Sequence, residues 1–488
     1  MHYSENEHTG SPILTTSEKK GAGEPSHIQN PQVLHAADKF RSQAQQANEK
    51  WLCLRIQVPI KHIDTFISLP HPEKTVWIPG RGATQHASDW QIAALGCARE
   101  IIAQGANRFQ TVQQAAAAVF SEISVMGDAP ASHFPQLRFL GGAAFAPGSA
   151  NTDIWSEFSD ARFVIPRWQY ATQSNDATLQ LVIESDEFHR SPRWHQELND
   201  IFNWLMQADA LQMPATETVN ITHYSNGWET LVNDALKKIA AGELQKVVVS
   251  RMSHLKSNLA FSLQRVLQRL ARSYPDCMRF ALSGSGSVFV GATPEELVRV
   301  SDKGKRIAAD ALAGSAQRTG DSDNGALRLQ RSEKEHREFE FVLDNIEAQL
   351  RRCGVRITSD RDIKIKSLKN LYHLHCAVTG IAESPMHILQ LVEQLHPTPA
   401  VCGTPTAIAS NWLVANEHQQ RGWYAGPIGW FDADGDGCFA VGIRSALVKN
   451  DEAWLFAGAG IVEGSCAAVE FTETGAKLTP MLSALGAL

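Results

Sequence analysis

An unbroken apolar run, Leu455-Phe-Ala-Gly-Ala-Gly-Ile-Val462, is followed after a short polar loop by Glu470-Phe-Thr-Glu473-Thr-Gly-Ala-Lys477. The run is short enough, and rich enough in apolar residues, to be a buried strand. Gly458 and Gly460 read as the turn that ends it, since glycine tolerates a positive φ and lets another group approach the backbone closely. Backbone amides exposed in that way can face an anion. If the following segment is helical, Glu470 and Glu473 share one face at i and i+3. Two carboxylates, a lysine and open amides would suit a metal-bridged carboxylate ligand, but the same residues also read as a strand, a loop and a solvated helix end.

The remaining sequence narrows the setting. The chain has 488 residues, 43% of them hydrophobic and 20% charged, in the range of folded globular domains. A net charge of −7 provides no basic field for a phosphate backbone, which argues against nucleic acid as a partner. No apolar stretch reaches membrane-spanning length, and the polar start Met-His-Tyr-Ser-Glu-Asn-Glu-His has no hydrophobic signal segment. The eight cysteines are scattered without a C-x-x-C pair, which points to reduced thiols in a cytoplasmic protein. The Asn220-Ile-Thr222 sequon then carries no meaning.

Residues 1–35 are polar, lack apolar periodicity and read as a disordered tail. Residues 36–220 read as an N-terminal α/β half, with strands at Trp51–Val58, around Val76, Arg138–Phe145, Ala161–Pro166 and Leu179–Ile183. Helical patterns are expected at Trp90–Ala103 and Val112–Val125. This half shows no constellation of catalytic residue types. A polar hinge with Pro214 leads to about Ser225, where Asn226 is the expected helix cap with Glu229 as its capping-box partner and Gly242 closing the helix. Residues 221–488 form the second region. Lys246-Val-Val-Val-Ser-Arg251 is a compact strand, and Arg279–Ser283 with Ser287–Gly291 reads as a hairpin around Gly284-Ser-Gly286 rather than a nucleotide loop. One long charged helix is expected over Asn324–Arg352. Asp432-Ala-Asp-Gly-Asp436 starts like a calcium loop, but its twelfth position is Ile443, so a hairpin turn is expected.

Four features of this second region could carry chemistry. Lys246 heads an apolar strand; it could snorkel from a sheet edge, or be buried and act as a base near neutral pH. Glu295 follows Pro294 at a strand end, where burial can turn a carboxyl into an acid, or where it can be a solvated turn residue. Glu335 and Glu338 repeat the spacing of Glu470 and Glu473, and two such pairs can offer four carboxylates to a hard cation such as Mg²⁺. The pattern recurs by chance among 52 acidic residues; Glu184 and Glu187 form a third copy with no assigned role. His373 and His375 share one strand face, but no acidic ligand lies near them in sequence to complete a metal site.

Taken in order, the segments beginning at Lys246, Gly291 (Gly-Ala-Thr-Pro-Glu295), Leu312 (Leu-Ala-Gly-Ser315), Ser332 (to Glu338), His373 and Leu395 (Leu-His-Pro-Thr-Pro-Ala400) form one series. Arg421-Gly-Trp-Tyr-Ala-Gly426, Ile443-Arg-Ser-Ala446 and Gly458-Ala-Gly-Ile-Val462 with Glu470-x-x-Glu473-Thr-Gly complete it. Together they resemble the chorismate-utilising enzymes, which include isochorismate, salicylate, anthranilate and aminodeoxychorismate synthases. The resemblance covers about residues 225–488; the first half fits by position and size. It implies an α/β (α+β) fold with two large, mostly antiparallel sheets packed face to face and helices outside.

Within that family, Lys246 stands where ammonia-using members usually carry glutamine, and so matches members that activate water. Ala313 occupies the position of the nucleophilic lysine of aminodeoxychorismate synthases. His396-Pro-Thr-Pro-Ala400 looks like isochorismate synthases more than salicylate synthases, and there is no amidotransferase segment. The resemblance implies chorismate as substrate and Mg²⁺ held by Glu338 and Glu473 with Glu335 and Glu470 behind them. Lys246 would take a proton from water attacking C2, and Glu295 would protonate the departing C4 hydroxyl. Arg444 and Tyr424 would hold the enolpyruvyl carboxylate, while the amides near Gly460, together with Lys477, would add carboxylate contacts. His373 would lie at the reacting side of the ring, and Ser315 is consistent with the same assignment. No amidotransferase subunit is implied, and a monomer is the family expectation. Phe339 departs from a histidine frequent after the metal-binding glutamate, and His336-Arg337 stand where an arginine and a variable residue are common, so hydrogen bonding behind the ligands would differ. Rival readings are a salicylate synthase that goes on to eliminate pyruvate, a binding protein that has kept the fold, and a Mg²⁺-dependent hydrolase built on the two glutamate pairs.

Overall fold

Strands buried on both faces lose the alternation of polar and apolar residues that marks a half-buried strand, and much of this chain is of that kind. A computed structural model of the protein describes residues 31–45, 47, 49–81, 90–127, 134–150, 154–174, 176–207, 219–223, 227–318 and 324–488. These form a 13-stranded and a 10-stranded sheet. Trp51–Gln57 and Ile123–Gly127 pair in parallel, and the remaining ladders are antiparallel.

Two apolar clusters define the layers. In Trp51–Gln57, Leu52, Leu54 and Ile56 pack into one cluster, with the helices Pro31–Ala44, Arg193–Gln207 and Leu263–Ser273. Cys53 points into the other, which joins Val247, Val249 and Phe289 of the larger sheet to the smaller sheet and to Phe339, Val342 and Ile346 of the helix Glu333–Arg352. Helices, larger sheet, smaller sheet and helices are therefore stacked, as the family resemblance implied. Strands from both halves of the sequence enter both sheets: Lys74–Ile78 pairs with Met278–Ser283, and Arg138–Ala143 with Pro427–Asp432. Among the described residues no helix is long and apolar enough to cross a membrane, and the eight cysteines are free thiols.

Several local expectations are corrected. Trp90–Ala103 is not a helix but two strands, Gln91–Leu95 and Arg99–Ala103. Ile92 and Ala94 enter one cluster while Ala93 and Leu95 enter the other, so the run is apolar throughout and mimics a buried helix. The alanine-rich helix spans Arg108–Ser121, and the chain then turns into the strand Ile123–Gly127. The long charged helix is two, Gly325–Arg331 and Glu333–Arg352, broken where Ser332 caps the second through its side chain. Gly227, in the left-handed region, is the cap of Trp228–Ala240, with no side-chain cap bond; Asn226 lies outside the described residues. So do residues 1–30 of the expected tail, whose last part begins the helix at Pro31, and most of the expected hinge. Its residues Val219–His223 form an edge strand on Lys246–Ser257. The hairpin at 278–293 and the turn at Asp432–Asp436 are as expected.

Candidate active site

The site lies where the chain twice passes from one sheet to the other. Glu295 occupies the first crossing, between Val288–Thr293 of the larger sheet and Glu296–Ser301 of the smaller. Arg444 occupies the second, between Gly437–Val441 and Ser445–Lys449. The crossings are tied together: Val441 N–H donates to Glu295 O at 3.1 Å and Ala292 N–H to Arg444 O at 3.1 Å. Arg444 has φ of 52°, an unfavourable conformation for a residue with a side chain, held by this double link.

Lys246 begins the strand Lys246–Ser257, whose antiparallel partner Glu452–Ile461 carries Gly458 and Gly460 opposite Ser250 and Val248. On the smaller sheet, the ladder between Arg306–Gln317 and Leu371–Ala382 slips by one residue between Ala313 and Ser315. Gly314, at φ +66°, is the residue left over, as in a glycine bulge. The slip turns the Ser315 N–H onto Glu335 Oε2 at 2.7 Å and sets Ser315 opposite His373. The helices Glu333–Arg352 and Ala467–Ala484 bring the two glutamate pairs together.

Three lysines meet three of these four carboxylates. Lys246 Nζ, fully buried, is 2.9 Å from Glu338 Oε1. The angles are not those of a hydrogen bond, so the contact is one of charge. Lys334 Nζ is 3.0 Å from Glu470, and Lys477 Nζ is 2.6 Å from Glu473, whose same oxygen accepts from Ser315 Oγ at 2.7 Å. Burial works against charge on Glu473, but Lys477 and the Ser315 hydroxyl outweigh it and hold the carboxyl well below its usual range. Glu335 is met by an amide instead of a lysine; burial first, then the charges of Glu338 and Glu473, push it up to about 7. Glu470 is raised by burial and by Glu473.

Between the sheets lies a cleft of about 640 Å³, counting space open to solvent, walled by Glu295, Glu338, Ser315, His373, Tyr424, Arg444 and Lys477. Glu295 is raised to about 8, chiefly by burial and then by Asp310, against the opposing pull of Lys246, Lys366 and Arg444. Burial therefore favours its protonated form. His373 is lowered to about 3 by burial and by Arg444 and Lys477. It is neutral, and its tautomer is set because Nδ1–H donates to Gly314 O at 3.0 Å while Nε2 accepts from Arg444 Nη2 at 3.2 Å. Tyr424 stacks on Phe456 with ring centroids 5.2 Å apart.

Among the described residues no three His, Cys, Asp or Glu side chains are arranged as a ready metal site. The donor set nevertheless suits a hard divalent cation. Four carboxylates converge, burial first and then their neighbouring charges raise Glu335 and Glu470, and Lys334 and Lys477 stand against two of them.

The sequence expectations separate here. Lys246, Glu295, Ser315, His373, Tyr424, Arg444, Lys477 and the four glutamates gather in one region. Gly458 and Gly460 do not form a turn. Both lie inside the strand Glu452–Ile461 without positive φ. A Cβ on Gly460 would stand 2.5 Å from Glu338 Oε1, so this glycine is needed for close approach. The ladder to Ser445–Lys449 ends at Leu455, leaving the edge beside Gly458 and Gly460 without a strand partner; Lys477 Nζ takes the Gly458 carbonyl at 3.0 Å. Lys246 is not part of the cleft wall and stands behind Glu338. His375 turns to Asp310 instead of joining His373. Sequence reasoning missed Asp310 and Lys366, which flank Glu295, and the Arg421–Glu417 pair. Arg421 donates to the carbonyls of Val248 and Val401, both in the cleft wall; its place in a recognised motif was the available signal.

Comparison with known proteins accords with this geometry. The profile of the chorismate binding enzyme family matches residues 39–486. The isochorismate synthase MenF of Bacillus subtilis is 32% identical over 368 residues, covering 71% of this chain and 74% of that protein. The salicylate biosynthesis isochorismate synthase of Pseudomonas aeruginosa is 29% identical over 413 residues, covering 81% and 83%. Among solved structures, the menaquinone-specific isochorismate synthase MenF of Escherichia coli matches 93% of this chain and 100% of its own, with a TM-score of 0.73 at 22% identity, a likeness of fold. With the profile spanning nearly the whole described chain, the protein belongs to the chorismate binding enzyme family.

Proposed function

We propose that the protein is an isochorismate synthase, an isomerase that converts chorismate to isochorismate. The observation that carries the reading is a buried carboxyl, Glu295, in the wall of a cleft that has a buried lysine, Lys246, just behind it. Isomerisation requires that pair: a base for the incoming water and an acid for the departing hydroxyl. The names of the curated relatives support it as well.

In this mechanism Lys246 takes a proton from water as its oxygen bonds to C2. The ring double bonds shift, the C4–oxygen bond breaks, and Glu295 gives its proton to the leaving hydroxyl, which departs as water. One water enters and one leaves, so the product is an isomer. Lys246 Nζ lies against Glu338, which lines the cleft, so withdrawal of that carboxylate from Nζ would open the amine to water. Arg444 offers a guanidinium fork to the enolpyruvyl carboxylate with Tyr424 beside it. Neutral His373, locked by Gly314 and Arg444, holds that arginine in place. Glu338 and Glu473, with Glu335 and Glu470 behind them, would hold Mg²⁺, which would supply positive charge for the ring carboxylate. Scattered cysteines without a C-x-x-C pair are the feature that favours a cytoplasmic location.

The test is product identity. Purified protein with chorismate and Mg²⁺ is expected to give isochorismate, and chelation of the metal is expected to stop the reaction. Salicylate and pyruvate as main products would replace this reading with the lyase, and no turnover would leave a binding protein.

A further inference from the structure

One charged cluster touches the site from behind and has no role in the mechanism above. Glu295 sits in a crossing between sheets, where the main-chain ties are the bond from Val441 N–H to its carbonyl and the pairing of Glu296 with Ala440. The other polar groups of its two flanking peptide units are met by side chains, the Glu295 N–H by Thr293 Oγ1 at 3.4 Å. Lys366 Nζ donates to the carbonyl of Pro294 at 2.7 Å, and the carboxylate of Asp310 accepts from the N–H of Glu296. Lys366 and Asp310 stand 3.7 Å apart, and His375 Nε2 meets the other Asp310 oxygen at 2.9 Å. The three residues come from three neighbouring strands, Arg306–Gln317, Lys364–Ser367 and Leu371–Ala382. Burial opposes charge on Asp310, but His375 and Lys366 outweigh it and keep the carboxylate ionised.

We propose that Lys366, Asp310 and His375 form a positioning clamp that grips the chain on both sides of Glu295 and fixes where its carboxyl meets the departing hydroxyl. The proposal rests on the reading of Glu295 as the acid. A group of that kind must be held to within about 0.5 Å of its working position, and a strand crossing does not provide this alone. The clamp also sets the local charge. Glu295 faces Lys246 from its strand, Asp310 and Lys366 from the clamp, and Arg444 and Tyr424 from the neighbouring segments. Asp310 favours the protonated acid and Lys366 opposes it, so removing one or the other should shift the acid in opposite directions.

The test measures kcat, KM and the pH profile of kcat/KM at saturating Mg²⁺ for the wild type, Lys366→Met, Lys366→Arg, Asp310→Asn and Glu295→Gln. Lys366→Met should lose about 100-fold in kcat with little change in KM, and its basic limb should move to higher pH. Lys366→Arg, which can still donate to Pro294, should recover most of that loss. Asp310→Asn keeps an acceptor for the Glu296 N–H and should fold; its basic limb should move to lower pH. Limbs that stay in place, or move the same way in both variants, would overturn the clamp, as would wild-type kcat in Lys366→Met. If Lys366→Met does not fold, the direction of the limb in Asp310→Asn decides alone. Full turnover in Glu295→Gln would instead overturn the acid assignment itself, whereas an inactive Glu295→Gln beside clamp variants like the wild type would overturn the clamp only.

Discussion

Gly460→Ala tests whether the strand beneath the carboxylates is shaped for close approach. The backbone there is extended, without positive φ, so alanine brings no conformational strain and removes some of the entropy that glycine loses on folding. The added methyl would lie 2.5 Å from Glu338 Oε1 and 3.2 Å from Lys246 Cε, where ordinary contact begins at 3.4 Å. The carboxylate end is flexible and gives way first, by about 0.9 Å, the difference between those distances. A displacement near 1 Å in a group that positions the reaction costs about 100-fold in rate, or about 2.7 kcal/mol of transition-state stabilisation. The assay is isochorismate formation across a Mg²⁺ titration, with a thermal melt as control. We expect kcat/KM to fall about 100-fold, the metal requirement to rise and the melting temperature to hold. At Gly458 the same methyl meets its neighbours at 3.1 Å or more, so Gly458→Ala should be the milder change. Wild-type turnover and metal requirement in Gly460→Ala, or a worse defect in Gly458→Ala, would refute the reasoning.

Two further outcomes follow from the charges. Glu295 must be protonated to act and is raised to about 8, so turnover should fall as pH rises through that value, read from the basic limb of the kcat/KM profile; a basic limb beginning near the ordinary carboxylate range would contradict it. Glu417→Ala strands the buried Arg421 guanidinium and releases Ser250, which should cost about 3–5 kcal/mol in urea unfolding; a loss below about 1 kcal/mol would show that the pair is not structural.

Much of the site was legible because its residues fall in short, ordered segments of the second region. Lys246 and Glu295 stand at strand ends, and each glutamate pair has helical spacing. What the sequence concealed has physical causes. Glycine signals a turn and a close approach equally well, so Gly458 and Gly460 read as a turn in the sequence although they lie within a strand. Gln91–Leu95 is buried on both faces, and nothing in its pattern separates it from a helix. Ser332 with Glu335 three residues on could have marked the helix break; the Glu335 side chain instead serves the Ser315 amide, where a capping box would use it on the backbone of its own helix. Asp310, Lys366 and His375 meet only because three strands are adjacent, and no local spacing announces that.

In the proposed reaction Lys246 delivers water to the ring while Glu295 releases the hydroxyl. The most direct measurement is turnover of chorismate in isotopically labelled water, with product mass followed for the wild type and for Lys246→Ala. The wild type should give isochorismate carrying one solvent oxygen, and Lys246→Ala no labelled product in a protein that still melts normally. Labelled isochorismate formed by Lys246→Ala at the wild-type rate would contradict it.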